Sequence, residues 1–331
     1  MSITLRVLGG PEHDNALFVW VHSGQRTYRL LFDCGAGCVR GLEPSDLHAL
    51  DHLFLSHLHM DHIGGFDDLF RRNFNRPDRP NHVWGPPETA RIMQHRFRGF
   101  MWNYASQPGE WVVHDVAPTE VRGRRFLLRE AFARAHDAGT RDFDGVIVDT
   151  KELSVEARLM DHLTPSLAFV VREKPRLNVD KAALQRSGLP AGGWLEHLKD
   201  ANVSTVRIGD RDYDAAPLRR DLLRSRRGEA VAYLTDFLLD DRAHDTLLPL
   251  LDDQTTIVCE SQYRHSDSHL ARRNHHLTAT QAAQLAADAG AAKLVLIHLS
   301  DRYRPPEWAA MLAEAREVFA ETYFPESWSV G

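Results

Sequence analysis

Short apolar runs separated by polar turns dominate the first third of the chain. Residues 3–8 (ITLRVL) alternate in part, residues 16–21 (ALFVWV) are almost wholly apolar, and residues 28–32 (YRLLF) follow a polar break. These patterns predict three strands, the last two paired as a hairpin. Residues 53–55 (LFL) are short and wholly apolar, as a strand buried in a sheet would be. That strand runs directly into a cluster of histidines.

Further along, strand patterns alternate with helix patterns. The predicted strands cover 167–171, 231–235, 257–259 and 294–297, and the predicted helices cover about 88–97, 280–289 and 306–320. The mixed stretch 71–125, which contains several prolines, is either a lid or ordinary connecting structure. Strands and helices in both halves favour an α/β fold with two sheets face to face and helices outside. No internal repeat is present, and we expect one domain over 1–331.

Composition bears on nucleic-acid binding, disulfide formation and membrane attachment. The chain is 43% hydrophobic and 26% charged with a net charge of -6, so any nucleic-acid contact must come from a local basic patch. The three cysteines, Cys34, Cys38 and Cys259, lack the spacing of a disulfide framework or a zinc knot. No apolar run reaches the roughly 18 residues of a membrane span. We therefore expect a cytoplasmic protein without membrane attachment.

Histidine is unusually abundant, with 19 in the chain, and four metal-ligating side chains fall within SHLHMDH at 56–62. In an extended segment His57 and His59 project to one side, while Asp61 and His62 fall where the chain begins to coil. Together they can address two adjacent ions, and imidazole with carboxylate suits zinc. A chance grouping of surface histidines is the alternative, but it does not account for the buried strand that precedes them.

Three more candidate ligands stand at the ends of predicted strands. His162 precedes the strand at 167–171, Asp236 follows the strand at 231–235, and His298 follows the strand at 294–297. Each alone is weak evidence, because a single histidine there is commonly structural and a single aspartate is commonly a turn residue. Their repetition at strand ends strengthens all three as metal ligands.

Several motifs together carry a resemblance to a known family. SHLHMDHIGG at 56–65 resembles the H-x-H-x-D-H signature of the metallo-β-lactamase superfamily. Residues 161–199 and 274–303 are similar to segments of its ribonuclease Z group, and so, in the same order, are FDCGAGCVRGL (32–42), GPPETARIM (85–93), YLTDF (233–237) and CESQY (259–263). The chain is identified as a member of that group. The resemblance implies a four-layer αββα sandwich of two mixed β-sheets with outer helices.

The resemblance also implies a metal centre with two zinc ions, with Mn²⁺ and Fe²⁺ as alternatives. His57, His59 and His162 would bind one ion, and Asp61, His62 and His298 the other. Asp236 would bridge the two ions and Asp33 would support the ligands. Two such ions supply a nucleophile from water and neutralise charge on a phosphodiester, so no side-chain nucleophile is needed. Asp61 thereby counts among the catalytic residues.

A proton for the leaving oxygen would come from a histidine paired with a glutamate, and the matching positions are His276 and Glu260. The carboxylate fixes the tautomer of the imidazole and raises its pKa, which makes a better-populated acid near neutrality. His275 is adjacent, and the motif rather than the chemistry selects His276. Cys259 stands where the family usually has a histidine before the glutamate, and we expect only a small buried side chain there.

Substrate contacts are expected from a basic segment within about 172–228, where the family has an arm that clasps tRNA. We expect Arg172, Lys174 and Arg302 to bind substrate, although a solvated charged face is an equally good explanation for any one basic residue. The matching arm tip reads LPAGGW at 189–194, and the N-terminal loop reads LGGPEHDN at 8–15; both depart from the family pattern. Whether the altered arm binds RNA stays open.

The leading hypothesis is thus a zinc-dependent phosphodiesterase that processes the 3′ end of precursor tRNA, as a homodimer by resemblance. One alternative is a small-molecule phosphodiesterase or esterase on the same two-zinc scaffold, which the acidic net charge and the changed arm favour. Another is a non-catalytic metal-binding relative. The sequence leaves the physiological substrate, the metal loaded in the cell and the oligomeric state undetermined.

Overall fold

A computed structural model of the chain describes residues 3–23, 26–103 and 106–328. Strands make up much of these residues. In chain order they are β1 (Ile3–Leu8), β2 (Ala16–His22), β3 (Thr27–Phe32), β4 (His52–Phe54), β5 (Asn81–Gly85), β6 (Glu110–Val116), β7 (Glu120–Leu127), β8 (His136–Asp142), β9 (Val146–Asp149), β10 (Leu153–Asp161), β11 (Pro165–Glu173), β12 (Arg176–Val179), β13 (Thr205–Ile208), β14 (Arg211–Asp214), β15 (Leu223–Arg226), β16 (Ala230–Leu234), β17 (Thr255–Glu260), β18 (Lys293–Ile297) and β19 (Thr322–Tyr323).

The helices are mostly short. They are α1 (Pro44–His48), α2 (Met60–Ile63), α3 (Phe66–Asn73), α4 (Thr89–Phe97), α5 (Lys181–Ser187), α6 (Trp194–Leu198), α7 (Ala215–Leu222), α8 (Asp241–Leu247), α9 (Ser268–Asn274), α10 (Ala279–Asp288) and α11 (Pro305–Val318), with 3₁₀ turns at Cys38–Gly41, Leu128–Glu130, Leu248–Leu250 and His265–Asp267. In the part of the chain that the structure describes, no helix combines the length and apolar character that crossing a membrane requires.

The first sheet contains β1 to β8 side by side in chain order. Strands β3 to β6 run parallel, whereas β1 to β3 and β6 to β8 pair antiparallel. The predicted hairpin is the β2–β3 pair, in which Leu17 lies opposite Phe32. Because β3 and β4 are parallel neighbours, their carboxyl ends lie at the same edge of the sheet.

The second sheet has the strand order β19-β18-β17-β16-β11-β10-β9. Strands β16 to β19 run parallel, and β11 pairs antiparallel with β16, as β9 does with β10. Both sheets are therefore mixed, which confirms the predicted α/β class with two mixed β-sheets. The parallel pairing of β16, β17 and β18 brings the residues that follow them to one edge.

Aromatic side chains join the two sheets near that edge. Phe32 and Phe54 of the first sheet stack with ring centroids 4.9 Å apart, and Phe169 of the second sheet lies 5.6 and 5.5 Å from them. Tyr233 of β16 lies 5.8 Å from Phe32. Such pairs contribute about 0.5–1.5 kcal/mol each beyond area burial. This contact holds the end of β3 beside the end of β16.

Helices cover the outer faces of both sheets. Leu285 of α10 and Met311 of α11 belong to the core that includes the second sheet. Leu47 of α1, Phe66 of α3 and Met93 of α4 pack with side chains of the first sheet in a separate outer core. The layers are therefore helix, sheet, sheet and helix, as the resemblance implied.

Helix ends follow from local sequence. Thr278 caps α10, accepting a hydrogen bond from the backbone N–H of Gln281, whose side chain bonds back to Thr278 in a capping box. Gly290 adopts φ +59° just beyond the helix, a conformation that glycine takes without penalty. Pro305 occupies the first turn of α11, where its missing N–H costs nothing. The predicted helices lie within one or two residues of the observed ones.

The mixed stretch 71–125 proves to be part of the first sheet rather than a lid. It supplies β5, α4, β6 and most of β7. Trp111 and Val113 of β6 pack into the outer core while Val116 faces the core between the sheets. Polar and apolar residues are mixed in β5 (NHVWG) and β6 (EWVVHDV), which is why the pattern alone left two interpretations open.

Residues 173–228 form a second compact unit, and the rest of the chain forms the first. The second unit contains the antiparallel pairs β12–β15 and β13–β14 together with α5, α6 and α7. Its own small apolar core includes Trp194, Leu198 and Ile208. Its bounds agree closely with the basic segment in which the sequence predicts a substrate-binding arm, and binding by it stays a prediction.

Candidate metal centre

The predicted ligands lie at the carboxyl ends of strands. His57 comes shortly after β4, Asp236 after β16 and His298 directly after β18. Asp236 and His298 take left-handed backbone conformations, with φ of 55° and 56°. Such a conformation costs a residue other than glycine about 1 kcal/mol or more. The structure thus holds two strand ends in a strained turn at the place where their side chains meet.

One group of ligand atoms comes from His57, His59 and His162, whose ligating atoms lie within 4.8 Å of one another. Nε2 of His57 and Nδ1 of His59 are 2.9 Å apart. His162 donates a hydrogen bond from Nδ1 to the backbone carbonyl of His275 at 2.7 Å, which leaves its Nε2 for a metal. The three side chains that the resemblance assigns to one ion therefore converge.

A second group consists of Asp61, His62 and His298. Oδ2 of Asp61 lies 3.3 Å from Nε2 of His62 and 3.4 Å from Nε2 of His298. His62 is buried, whereas the Asp61 carboxylate is 47% exposed. The group therefore combines a fixed imidazole with a carboxylate that opens to solvent, where water and substrate can reach it.

Asp236 lies between the two groups. Its Oδ2 is 3.0 Å from Nε2 of His62 and 3.8 Å from Nε2 of His298, and its Oδ1 is 3.8 Å from Nε2 of His162. One carboxylate oxygen thus faces the second group and the other faces the first group. This is the placement that a bridging ligand requires.

The environment of His62 indicates that the cluster can bind a metal. Its Nδ1 donates to Oδ2 of Asp33 at 2.7 Å, so a neutral ring has its lone pair on Nε2. That Nε2 is buried and has no hydrogen-bond partner, although Asp236 and Asp61 lie close to it. A buried imidazole lone pair between carboxylates is suited to a divalent cation. The chain therefore fits a bound metal here.

Burial and neighbouring charges shift the pKa values of several proposed ligands. Burial lowers the pKa of His57 to about 2, and nearby His62 lowers it further, so the imidazole of His57 is neutral. Burial opposes protonation of His62 as well, but Asp236 and Asp33 raise its pKa well above the usual value. Burial would raise the pKa of Asp236, yet His298 and His62 hold it well below the usual value. A divalent cation can replace the protons held in the second group.

Next to this cluster, His276 pairs with Glu260. Nδ1 of His276 lies 2.7 Å from Oε2 of the buried Glu260 and 3.2 Å from Oδ1 of Asp236. Burial lowers the pKa of His276, but the charge and hydrogen bond of Glu260, with Asp236, outweigh it and raise the pKa to about 9. The imidazolium is therefore the populated form near neutral pH, with Nε2–H as its remaining donor.

The structure distinguishes His276 from its neighbour. The ring of His275 lies beside Asp161, with Nδ1 3.4 Å from Oδ1 and without a hydrogen-bond partner. Its backbone has φ +56° and ends α9. The ring of His276 is thus the one placed against Glu260, whereas His275 contributes its carbonyl to the orientation of His162.

The chain is similar in sequence to a known protein over almost its whole length. The chain is 48% identical over 330 residues to ribonuclease Z of Deinococcus radiodurans, and the match covers 99% of both chains. The chain belongs to the ribonuclease Z family. This ribonuclease Z family member is accordingly a metal-dependent hydrolase, and the resemblance carried by its motifs is confirmed.

Solved structures agree with the fold of this family member. YhfI of Bacillus subtilis, a metallo-β-lactamase fold protein, superposes with a TM-score of 0.57 at 15% identity, covering 98% of this chain and 96% of that one. The short form of human tRNase Z gives a TM-score of 0.56 at 16% identity with the same coverage. In addition, the sequence model of a family described as anti-Pycsar protein Apyc1 matches residues 13–114. That segment includes the first ligand motif.

Arg172, Lys174 and Arg302, the residues predicted to bind substrate, are not members of the ligand groups of this family member. Arg172 is engaged within the fold, since its guanidinium contacts Oδ2 of Asp252 at 3.1 Å and the carbonyl of Leu250 at 2.7 Å. Lys174 is half-buried in the second unit. Arg302 is 47% exposed, 3.9 Å from Asp267. The geometry favours Arg302 over Arg172 as a phosphate contact, and all three assignments stay predictions.

Sequence reasoning missed several groups that orient the ligands. Ser56 and Tyr233 both donate to Asp33, and the Asn15 side chain accepts from the backbone N–H of His298 at 2.8 Å. Ser56 and Tyr233 lie within motifs that resemble the ribonuclease Z group, so the sequence did mark both positions. Nothing in the spacing says that residue 233 reaches residue 33.

Proposed function

We propose that this protein is a zinc-dependent endonuclease that cleaves precursor tRNA on the 3′ side and leaves a 3′-hydroxyl on the tRNA. Family membership supports the reaction class. The observation that carries the proposal is the His276–Glu260 pair, 2.7 Å apart at the border of the ligand cluster. A phosphodiester with an alcohol leaving group needs such an acid, because an alkoxide leaves poorly without a proton.

Seven side chains are assigned to the ions: His57, His59, His162, Asp61, His62, His298 and Asp236. Their imidazole and carboxylate donors suit zinc, with Mn²⁺ or Fe²⁺ as substitutes. The ions would supply a water-derived nucleophile and neutralise charge on the phosphoryl oxygens. Asp61 is the partly exposed carboxylate of the set, so incoming water and substrate can reach it.

The protein itself supplies the proton. Because Nδ1 of His276 is held by Glu260, the proton that can leave is the one on Nε2. As water oxygen bonds to phosphorus and the bond to the 3′-oxygen breaks, that proton passes to the 3′-oxygen. The 5′-phosphate stays with the trailer. Glu260 then faces a neutral imidazole, which regains a proton from solvent.

The second unit is the candidate RNA-binding arm. Its exposed basic residues include Lys181, Arg186, Arg207, Arg211, Arg220, Arg224, Arg226 and Arg227. A chain with a net charge of -6 needs such a local basic surface to bind a polyanion. Arg302, close in sequence to the ligand His298, is the corresponding candidate in the first unit. Binding through these residues predicts a steep decrease in RNA affinity with salt concentration.

We further propose that the enzyme acts in the cytoplasm and as a homodimer. The buried cysteines Cys34, Cys38 and Cys259 are all free thiols, which suits a reducing compartment. The homodimer is proposed on family likeness alone, and sedimentation of the purified protein tests it.

The test uses purified protein with zinc, a precursor tRNA carrying a 3′ trailer, and bis(p-nitrophenyl) phosphate. We expect cleavage of the RNA with a 3′-hydroxyl on the tRNA product. His276→Ala should lower kcat on RNA by about 10²–10⁴-fold, the usual contribution of a general acid. His269→Ala, an exposed histidine on α9, is the matched control and should keep the wild-type rate.

The alternative is a small-molecule phosphodiesterase on the same scaffold, which the acidic net charge favours. A cyclic nucleotide is therefore included as a third substrate. Hydrolysis of the small diesters without cleavage of the RNA would refute the tRNA proposal and leave the metal centre intact. A protein that binds about one zinc or none, and hydrolyses nothing, would instead be the non-catalytic relative.

A further inference from the structure

A buried polar network links the two sheets behind the metal ligands. Asp33 follows β3 in the first sheet and is fully buried. Its Oδ1 accepts from the backbone N–H of Ser56 at 2.7 Å. Its Oδ2 accepts from Oγ of Ser56 at 2.7 Å, from Nδ1 of His62 at 2.7 Å and from the hydroxyl of Tyr233 at 2.9 Å. Four donors on one buried carboxylate satisfy a charge that would otherwise be costly.

The direction of each bond in this network follows from chemistry. A carboxylate only accepts, so Ser56 gives its single hydroxyl proton to Asp33 and His62 gives its Nδ1 proton. Oγ of Ser56 is then an acceptor for Nδ1–H of His57, 3.1 Å away. Both His57 and His62 therefore carry their proton on Nδ1 and present Nε2 to the metal cluster. Asp33 orients one ligand of each group, His62 directly and His57 through Ser56.

Tyr233 is the member of this network that comes from the other sheet. It lies on β16, three residues before the proposed bridging ligand Asp236, and is separated from Asp33 by 200 positions in sequence. Its ring is buried between the sheets, 5.8 Å from Phe32. A phenol in an apolar core needs a partner for its hydroxyl, and here the partner is the carboxylate that orients the ligands.

We infer that Tyr233 is a positioning residue for the metal centre: its hydroxyl holds Asp33 so that His57 and His62 present Nε2 to the ions. The inference rests on the proposed metal-binding function of the site. Groups that orient metal-ligating histidines typically change metal affinity or activity by 10–100-fold when removed. Because Tyr233 acts through Asp33 rather than on a ligand itself, the lower end of that range is expected.

Tyr233→Phe removes the hydroxyl and keeps the ring. Zinc affinity is measured by competition with a chromogenic chelator, and thermal unfolding is measured on the metal-free protein. We expect about a ten-fold weaker zinc affinity. On bis(p-nitrophenyl) phosphate at limiting zinc, kcat should fall while KM changes little, because the ligands rather than the substrate contacts are disturbed.

Tyr28→Phe is the matched control. The Tyr28 hydroxyl also donates to a carboxylate from a buried ring, reaching Oε2 of Glu152 at 2.7 Å, but neither residue belongs to the ligand groups or to the network around Asp33. It should lower the stability of the metal-free protein and leave zinc affinity at the wild-type value. A loss of zinc affinity equal in the two variants would mean a general loss of stability, and would overturn the inference.

A double-mutant cycle separates action through Asp33 from other effects. If Tyr233 acts through Asp33, Tyr233→Phe should weaken zinc binding less than two-fold in an Asp33→Asn background. Ser56→Ala, which removes the link to His57, gives a second variant that should weaken zinc by at least as much as Tyr233→Phe. Wild-type zinc affinity in Tyr233→Phe would overturn the inference. RNA does not enter the test, so failure of the tRNA proposal would be seen separately.

Discussion

Replacing Glu260 with glutamine tests the acid assigned to His276. Burial acts to lower the pKa of His276, and the Glu260 carboxylate, with its 2.7 Å hydrogen bond, is the main group that raises it to about 9. At pH 7.5 a group with that pKa is about 97% protonated, whereas an imidazole with an ordinary pKa of about 6.5 is about 9% protonated. Glutamine keeps the shape and an acceptor but removes the charge.

The expected result follows from the sign of this shift. The acid is active when protonated, so activity on RNA is lost as pH rises through the pKa of His276. In Glu260→Gln the descending limb of the pH profile of kcat should move to lower pH, and kcat at pH 7.5 should fall about ten-fold. Near pH 6 an ordinary imidazole is still about three-quarters protonated, so the two enzymes should be much closer there.

The assay is kcat on precursor tRNA, measured between pH 5.5 and 9.5. Bis(p-nitrophenyl) phosphate serves as the comparison substrate, because nitrophenolate leaves without needing a proton. With this substrate, the pH profiles of wild type and Glu260→Gln should differ much less. Identical descending limbs for wild type and Glu260→Gln on RNA would refute the reasoning, because Glu260 would then have no influence on the acid that matters.

Three further predictions concern stability. Burial lowers the pKa of His82 to about 4 and of His114 to about 3. The free energy of unfolding should therefore decrease as pH falls below the ordinary histidine pKa of about 6.5, and by pH 5 these two residues should contribute up to about 4 kcal/mol of that decrease. Urea unfolding at pH 7.5 and 5.0 should show a smaller loss for His114→Phe, and an equal loss would contradict this. Leu163 adopts φ +60°, so Leu163→Gly should raise the free energy of unfolding by about 1 kcal/mol, whereas Leu163→Ala, which keeps the strain, should not. Zinc at 100 times its dissociation constant should raise the free energy of unfolding by about 2.7 kcal/mol. Removing the metal with a chelator should therefore lower the Tm, and an unchanged Tm would argue against a resident metal.

Much of the fold could be predicted because its signals are local. The apolar runs at residues 16–21, 28–32 and 294–297 are strands in the structure, and the helix at 280–289 lies one residue from its predicted place. The pattern of stretch 71–125 did not identify its strands, because β5 (NHVWG) and β6 (EWVVHDV) mix polar with apolar residues. Whether a strand joins a sheet there depends on its neighbours, which the local pattern does not contain.

The sequence by itself determined the chemistry of the site. His57, His59, Asp61 and His62 are fixed as a group by their spacing after a buried strand, and motif likeness selected the distant partners. Only the tertiary structure decided which groups besides Asp33 orient them. The hydroxyl of Tyr233 reaches Asp33 because the two sheets pack face to face, and Arg172 turns to Asp252 rather than to solvent. Spacing along the chain encodes local conformation, whereas contacts across 200 positions exist only once the sheets have packed.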